Sequence, residues 1–215
     1  MNLRNVLIAM AVLGLAGWWF SPHSPRVPAP PRHAGGAAYA GCPLPPLAAR
    51  GQAPLQSDVP SSVAPFRLEG AELQPLAGFS IDARVLSRED YSLGREADYS
   101  PTDLALGWGR MGDEAVLDRL DISQSSRWYR YRWRGDPPIP PREIIQSSAN
   151  MHMIPADPTV ASALHAVRPG QRVRIDGWLV QVDANDGWHW RSSLTRGDTG
   201  DGACEVVYVC AISRE

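Results

Sequence analysis

The sequence predicts a mainly β domain with short helices, an α+β chain built as a small bent β-barrel behind a membrane helix and a proline-rich linker. Three observations predict it. From Phe66 onward, short runs alternate apolar and polar residues with the period of a strand. The helical stretches between them are brief, and strands outweigh them. The first 65 residues carry neither pattern: an uncharged apolar run is followed by a stretch holding more than half of the 20 prolines. The expected division is therefore 1–20 signal anchor, 21–65 disordered linker, and 66–215 β-rich domain.

The apolar run, Val6–Phe20, reads VLIAMAVLGLAGWWF. It follows Arg4, and it ends in Trp18, Trp19 and Phe20, bulky residues where signal cleavage needs small ones. Cys42 lies too far downstream to be a lipoprotein cysteine. A retained signal anchor fits better than a cleaved signal, with the tryptophans at the membrane interface. The expected location is the bacterial inner membrane, entered through residues 6–20, with the domain in the periplasm. Arg26 and Arg32 oppose part of the orientation bias set by Arg4. The stretch from Ser21 to about Pro65 lacks apolar periodicity, so it cannot bury enough surface to offset its ordering entropy. An extended, semi-rigid stalk is expected.

Within the domain, strands are expected at Phe79–Leu86, Arg127–Trp133, Asn150–Ile154, Arg172–Val182, Trp188–Leu194 and Cys204–Ile212. Ser100-Pro101-Thr102-Asp103 has the form of a helix-capping box with proline at the first helical position. Asp113 is expected to open a helix over Glu114–Leu120, Pro141 one over Arg142–Ser147, and Asp157-Pro158 one over Thr159–Ala166. Asp186-Gly187 marks a hairpin turn, and the last three strands read as a meander. In Arg172–Val182, Val173 and Ile175 face one way while Trp178, Val180 and Val182 face the other. A bulge at Gly177 would bring both sets onto one core face.

Gly170-Gln-Arg-Val-Arg-Ile-Asp-Gly177 resembles a strand of OB-fold barrels, which suggests an OB-like form of the barrel. Four further segments, DLALGWGRM (Asp103–Met111), RWYRYRW (Arg127–Trp133), SSANMHMIPA (Ser147–Ala156) and WRSSLTRGDTGDGACE (Trp190–Glu205), resemble an uncharacterised family of bacterial envelope proteins with one N-terminal membrane segment. That resemblance implies an envelope location and transfers no catalytic residue.

Composition excludes some chemistry. All 21 Lys+Arg residues are arginine, so Schiff-base catalysis, a phosphate-loop lysine and Ser-Lys dyads are ruled out. A net charge of -2 offers no field for nucleic acid, and none is expected as a partner. Of Cys42, Cys204 and Cys210, the last two stand about 20 Å apart in one extended strand, too far to bridge. One of them pairs with Cys42, or all three stay reduced. No cysteine spacing resembles a zinc site.

Met151-His152-Met153 has soft-metal ligand types, but strand alternation splits the methionines from the histidine. Asp198-Thr199-Gly200 matches an aspartic-protease core without its apolar strand, and the Arg-Gly-Asp tripeptides at 134–136 and 196–198 read as turns. No metal and no cofactor is expected. A hydrolase would draw on Ser147, Ser148, Ser192 or Ser193 with His152 or His189, and Ser148 with His152 is the alternative catalytic set. No nucleophile elbow accompanies them. The stronger pattern interleaves arginine with aromatics. Tyr129, Tyr131 and Trp133 share one face of their strand, against Trp128, Arg130, Arg132 and Arg134. Trp188 and Trp190 alternate with His189 and Arg191. The aromatic faces are expected to fill the barrel. Arg130, Arg132, His189 and Arg191 are then the contact candidates for an envelope protein or a cell-wall glycan.

Overall fold

The computed structural model describes residues 3–19, 21, 42–68, 70–195 and 204–215. Helix α1 (Leu3–Trp19) is apolar on all sides after Arg4 and Asn5 and buries none of its 17 residues. Among the described residues no helix is long and apolar enough to cross a membrane.

The rest is mainly β. Strands β1 (Leu55–Ser57), β2 (Phe66–Leu68), β3 (Ala71–Asp90), β4 (Thr102–Gly107), β7 (Ser148–Pro155), β8 (Arg172–Ala184), β9 (His189–Arg191) and β10 (Glu205–Arg214) form one sheet. Between β4 and β7, β5 (Asp121–Ser125) and β6 (Trp128–Arg132) form a separate hairpin. Short helices join them: α2 (Arg95–Tyr99), α3 (Glu114–Leu117), α4 (Pro141–Gln146) and α5 (Pro158–His165). Pro141 starts α4 as expected, and the Asp157 carboxylate caps α5 by accepting from the backbone N–H groups of Thr159 and Val160.

The sheet returns on itself. β3 is 20 residues long. Its Ala71–Arg84 pairs antiparallel with β8, and its Arg84–Asp90 pairs with β4. β4 pairs with β7, β7 runs parallel to β10, and β10 is antiparallel to β8, which completes a ring of five strands. Alternation sends Phe79, Ile81, Leu104, Met151, Met153, Ile175, Leu179 and Val207 to one buried cluster, with Val160 and Leu164 of α5 packed into it. The opposite face buries Trp178, Val180, Val182, Ile154, Val206 and Tyr208 in a second cluster.

Four expectations are corrected by this arrangement. Ser100–Asp103 caps no helix. It leads into β4, whose six residues are all buried, so Leu104 and Leu106 serve a strand flanked on both sides. There is no bulge at Gly177 on β8, because both faces of that strand are covered and both apolar sets are useful where they stand. The irregularities fall on its partners, at Leu76 of β3 and Cys210 of β10. The closing strands make no meander: β9 is a three-residue strand at the end of β8, and β10 passes it to pair with β8 and β7. The aromatic face of β6 does not enter the ring. Tyr131 and Trp133 pack on a small separate core of Met111, Ile139 and Ile144.

The linker is corrected in its second half. Residues 42–65 are docked against the domain, although the proline content predicts disorder to residue 65; the expectation for 22–41 lies outside the described residues. Pro45, Ala48 and Val63 are buried, and β1 pairs with β3. The Trp178 indole donates to the Pro43 carbonyl at 2.9 Å, and the Ala48 N–H donates to the Ser80 hydroxyl at 2.7 Å. Cys42 bridges to Cys210 across 168 residues, while Cys204 stays outside the bridge. This strap hides the second face of β8, which a reading of residues 66–215 by themselves leaves bare.

Candidate functional site

The four contact candidates fall on two elements. Arg130 and Arg132 are exposed on β6, and His189 and Arg191 are exposed on β9. Arg130 donates to the Ser125 hydroxyl at 2.9 Å and Arg191 to Gln181 Oε1 at 2.6 Å. Several other arginines of the domain close onto carboxylates, as in Arg88–Asp90, Arg95–Asp186, Arg110–Glu143 and Arg172–Asp82, while Arg67, Arg119 and Arg142 are exposed without such a partner among the described residues. Among the described residues, Arg130, Arg132, Arg134 and Arg191 have no carboxylate partner of this kind.

Between the two surfaces lies a buried polar cluster that alternation does not reveal. Asp103 of β4 and His152 of β7 are register partners on the face away from the first core cluster. The Asp103 carboxylate is fully buried. It accepts from Arg127 at 2.6 Å and from the Asn150 amide at 3.2 Å. His152 Nδ1 stands 2.9 Å from the same carboxylate oxygen, but off the direction a hydrogen bond requires. Arg127 is therefore the main partner of the carboxylate. The His152 ring also packs on Trp190, with centroids 4.7 Å apart.

Arg127 reaches Asp103 from the tip of the β5–β6 hairpin. Ser126 and Arg127 both take positive φ, 53° and 67°, as the tight primed turn demands. Three contacts hold the tip. The Arg127 N–H donates to the Tyr91 hydroxyl at 2.8 Å, its guanidinium lies 3.9 Å from the Tyr91 ring centroid, and Asn150 donates to its carbonyl at 3.0 Å. Burial raises the Tyr91 hydroxyl above the usual tyrosine range, against the lowering effect of the Arg127 contact.

The alternative catalytic set does not meet. Ser148 and His152 share a face of β7 with Asn150 between them, which separates them by about 13 Å of strand. The Ser148 hydroxyl donates to the Ile144 carbonyl at 2.7 Å and contacts the Tyr129 hydroxyl at 3.4 Å. The Ser192 hydroxyl accepts from the Val206 N–H at 3.1 Å, a loop-fastening role. Ser147 ends α4. Asp198–Gly200 and Arg196–Asp198 lie outside the described residues, and Arg134–Asp136 is a turn with Gly135 at φ 68°.

One open cleft, of about 560 Å³, lies where α3 runs into β5 and β6 ends. Asp118, Arg119, Asp121, Arg132, Trp133 and Arg134 line it. Its size is that of a small-molecule site. Of these, Arg132 was a candidate from sequence. Arg134 was legible on the same strand face, whereas Arg119 and the two aspartates come from a different element and only the tertiary fold gathers them. Comparison with known proteins leaves this geometry to speak for itself: no protein-family model matches the chain, and no curated protein or solved structure matches it.

Proposed function

We propose that the protein is a non-catalytic, membrane-tethered binding module of a bacterial cell envelope, and that its periplasmic domain holds a cell-wall glycan. The observation carrying this reading is the clustering of four exposed arginines without carboxylate partners, Arg130, Arg132, Arg134 and Arg191, on or just beyond the two strands that also present half-buried Trp128 and Trp190. Guanidinium forks suit carboxylates and hydroxyls, and indole rings suit the apolar faces of sugars.

Helix α1 supports the tether, since Leu7, Ile8, Met10, Val12, Leu13 and Leu15 are all exposed. Its 17 residues extend about 25 Å, close to the roughly 30 Å of bilayer hydrocarbon, and Trp18 and Trp19 at its end suit the interface. The resemblance of four segments to envelope proteins supports the location. We further read the ring as an OB-like barrel. In chain order its strands neighbour one another as first, second, third, fifth and fourth, the third and fifth are parallel, and α5 lies between the third and fourth. Such a fold gives no function by itself. A hydrolase is the weaker reading because Ser148 and His152 stand apart along β7.

Full-length protein in detergent should co-sediment with purified peptidoglycan sacculi, and Arg130→Ala with Arg132→Ala should release most of it. Undiminished sedimentation of that double variant would count against the surface. A C-terminal alkaline phosphatase fusion should be active in cells, and an inactive fusion would remove the periplasmic assignment.

A further inference from the structure

We propose that the cleft between the end of α3 and the end of β6 is a binding site for an acidic saccharide, a sugar unit bearing one carboxylate. This inference rests on the glycan reading and assigns it a place and a ligand chemistry.

The lining carries three kinds of group that a sugar acid uses. Arg132 at the end of β6 and Arg134 just beyond it, one strand period apart, present guanidinium donors toward the same space. They match the two oxygens of a carboxylate by forked hydrogen bonds. Asp118 and Asp121 supply acceptors for hydroxyl groups. Asp121 and Arg132 are cross-strand partners, yet they do not close into an ion pair, so both remain available to a ligand. Half-buried Trp133 adds apolar surface to the lining, which suits the apolar face of a sugar.

Charge selects among anions. Three arginines against two aspartates leave a net of one positive charge. A single carboxylate fits that balance, while a nucleoside triphosphate would set its phosphates against both aspartates.

The cleft is also largely preformed. The Trp133 ring stacks on Tyr131 at 6.1 Å and 16° and leans on the core of Met111, Ile139 and Ile144. Arg119 is held by donation to the Asp136 carbonyl at 3.0 Å. Groups fixed before binding lose little entropy when the ligand arrives.

The test is calorimetric titration of the full chain in detergent with trigalacturonate, with maltotriose as the uncharged comparison and ATP as the polyphosphate comparison. Trigalacturonate should bind and maltotriose should bind at least tenfold more weakly. Arg132→Gln with Arg134→Gln should weaken trigalacturonate at least tenfold, and Trp133→Phe, which keeps an aromatic ring on the core but shrinks the apolar wall, should weaken it severalfold. Arg67→Gln, exposed on β2 and absent from the lining of the cleft, should leave it unchanged. Equal binding of maltotriose, tighter binding of ATP, absence of binding, or full affinity in the Arg132/Arg134 variant overturns the proposal. If that variant still sediments with sacculi while Arg191→Gln does not, the glycan reading stands and this cleft is not its site. If intact protein ignores both sacculi and trigalacturonate, the two fall together.

Discussion

At the scale of single residues, Asp103 shows what alternation conceals. A carboxylate beside proline and threonine reads as a helix cap, because the sequence does not display the arginine that reaches it from 24 residues away. Fully buried, it is paired with Arg127 and Asn150, and removing it strands the guanidinium. Asp103→Ala should lower stability by roughly 3–5 kcal/mol in urea unfolding, as for other broken buried pairs. The hairpin tip gives a paired contrast. Ser126→Gly relieves a positive φ on an exposed residue and should leave stability unchanged or raise it by up to about 1 kcal/mol. Arg127→Gly relieves the neighbouring φ equally but should destabilise by several kcal/mol, since it also abandons Asp103 and Tyr91. Equal effects from the two glycines would mean that Arg127 contributes only turn geometry. Tyr129 adds a pH dependence. Burial pushes its hydroxyl up to about 12, against the lowering effect of Ser148. The folded chain thus keeps this proton where the unfolded chain, near the ordinary tyrosine value of 10.0, has lost it. Its contribution is complete below pH 10 and is lost as the pH climbs toward 12, at about 1.4 kcal/mol per pH unit between them. Urea midpoints measured from pH 9 to 11.5 should fall, and Tyr129→Phe should flatten part of that fall.

At the scale of elements, legibility followed the number of covered faces. α4 and α5 were read correctly because Pro141, Asp157 and Pro158 act within their own first turns. β6 was read correctly because one face is wet, and its alternation survives in the exposure of Arg130 and Arg132. β4 was missed because strands on both sides leave it no polar face, and the first half of β3 was missed because Pro75 and the neighbouring Leu76 irregularity interrupt its pattern. The strap from Cys42 to Ser57 was missed for another reason. Its proline content is that of a linker, and its fastenings are long-range: a disulfide to Cys210, an indole donor from Trp178 and the Ser80 hydroxyl accepting from the Ala48 N–H. The bridge closes a loop that spans nearly the whole domain, so Cys42→Ser with Cys210→Ser should cost about 2–4 kcal/mol. Amide exchange at Ala48 and Gly51 should accelerate more than exchange at Met151 in the core. Uniform acceleration would show that the strap and ring unfold as one unit. The candidate site was legible in the same uneven way. Arg132 and Arg134 share a strand face in the sequence, while Asp118, Arg119 and Asp121 join them only when β5 folds back along β6.

At the scale of the whole molecule, the ring depends on its last strand. β10 is the final element in the chain, and it lies between β7 and β8 with a different orientation toward each. No local signal specifies that position, since the contacts join residues far apart in sequence and ordering them requires the earlier strands to be in place. The close approach at Gly177 is where this closure is tested. A Cβ at Gly177 would lie 2.0 Å from the Tyr208 carbonyl oxygen and 3.1 Å from Val209 Cα. The obstacle is backbone, which cannot turn aside as a side chain can. Gly177→Ala therefore has to move β8 from β10, and it should cost about 3 kcal/mol or more. Gly135→Ala provides the comparison. That residue has a positive φ and open space around it, so its strain of about 1 kcal/mol stays within one exposed turn. Hydrogen exchange separates the two costs. In Gly177→Ala the amides of Val207 and Val209 should lose protection together with those of Met151 and Met153, because β10 binds both neighbours. In Gly135→Ala they should keep it. If Gly177→Ala lowers stability but leaves β10 protected, the strand is not what closes the ring, and β3 with its full-length pairing to β8 takes that role instead.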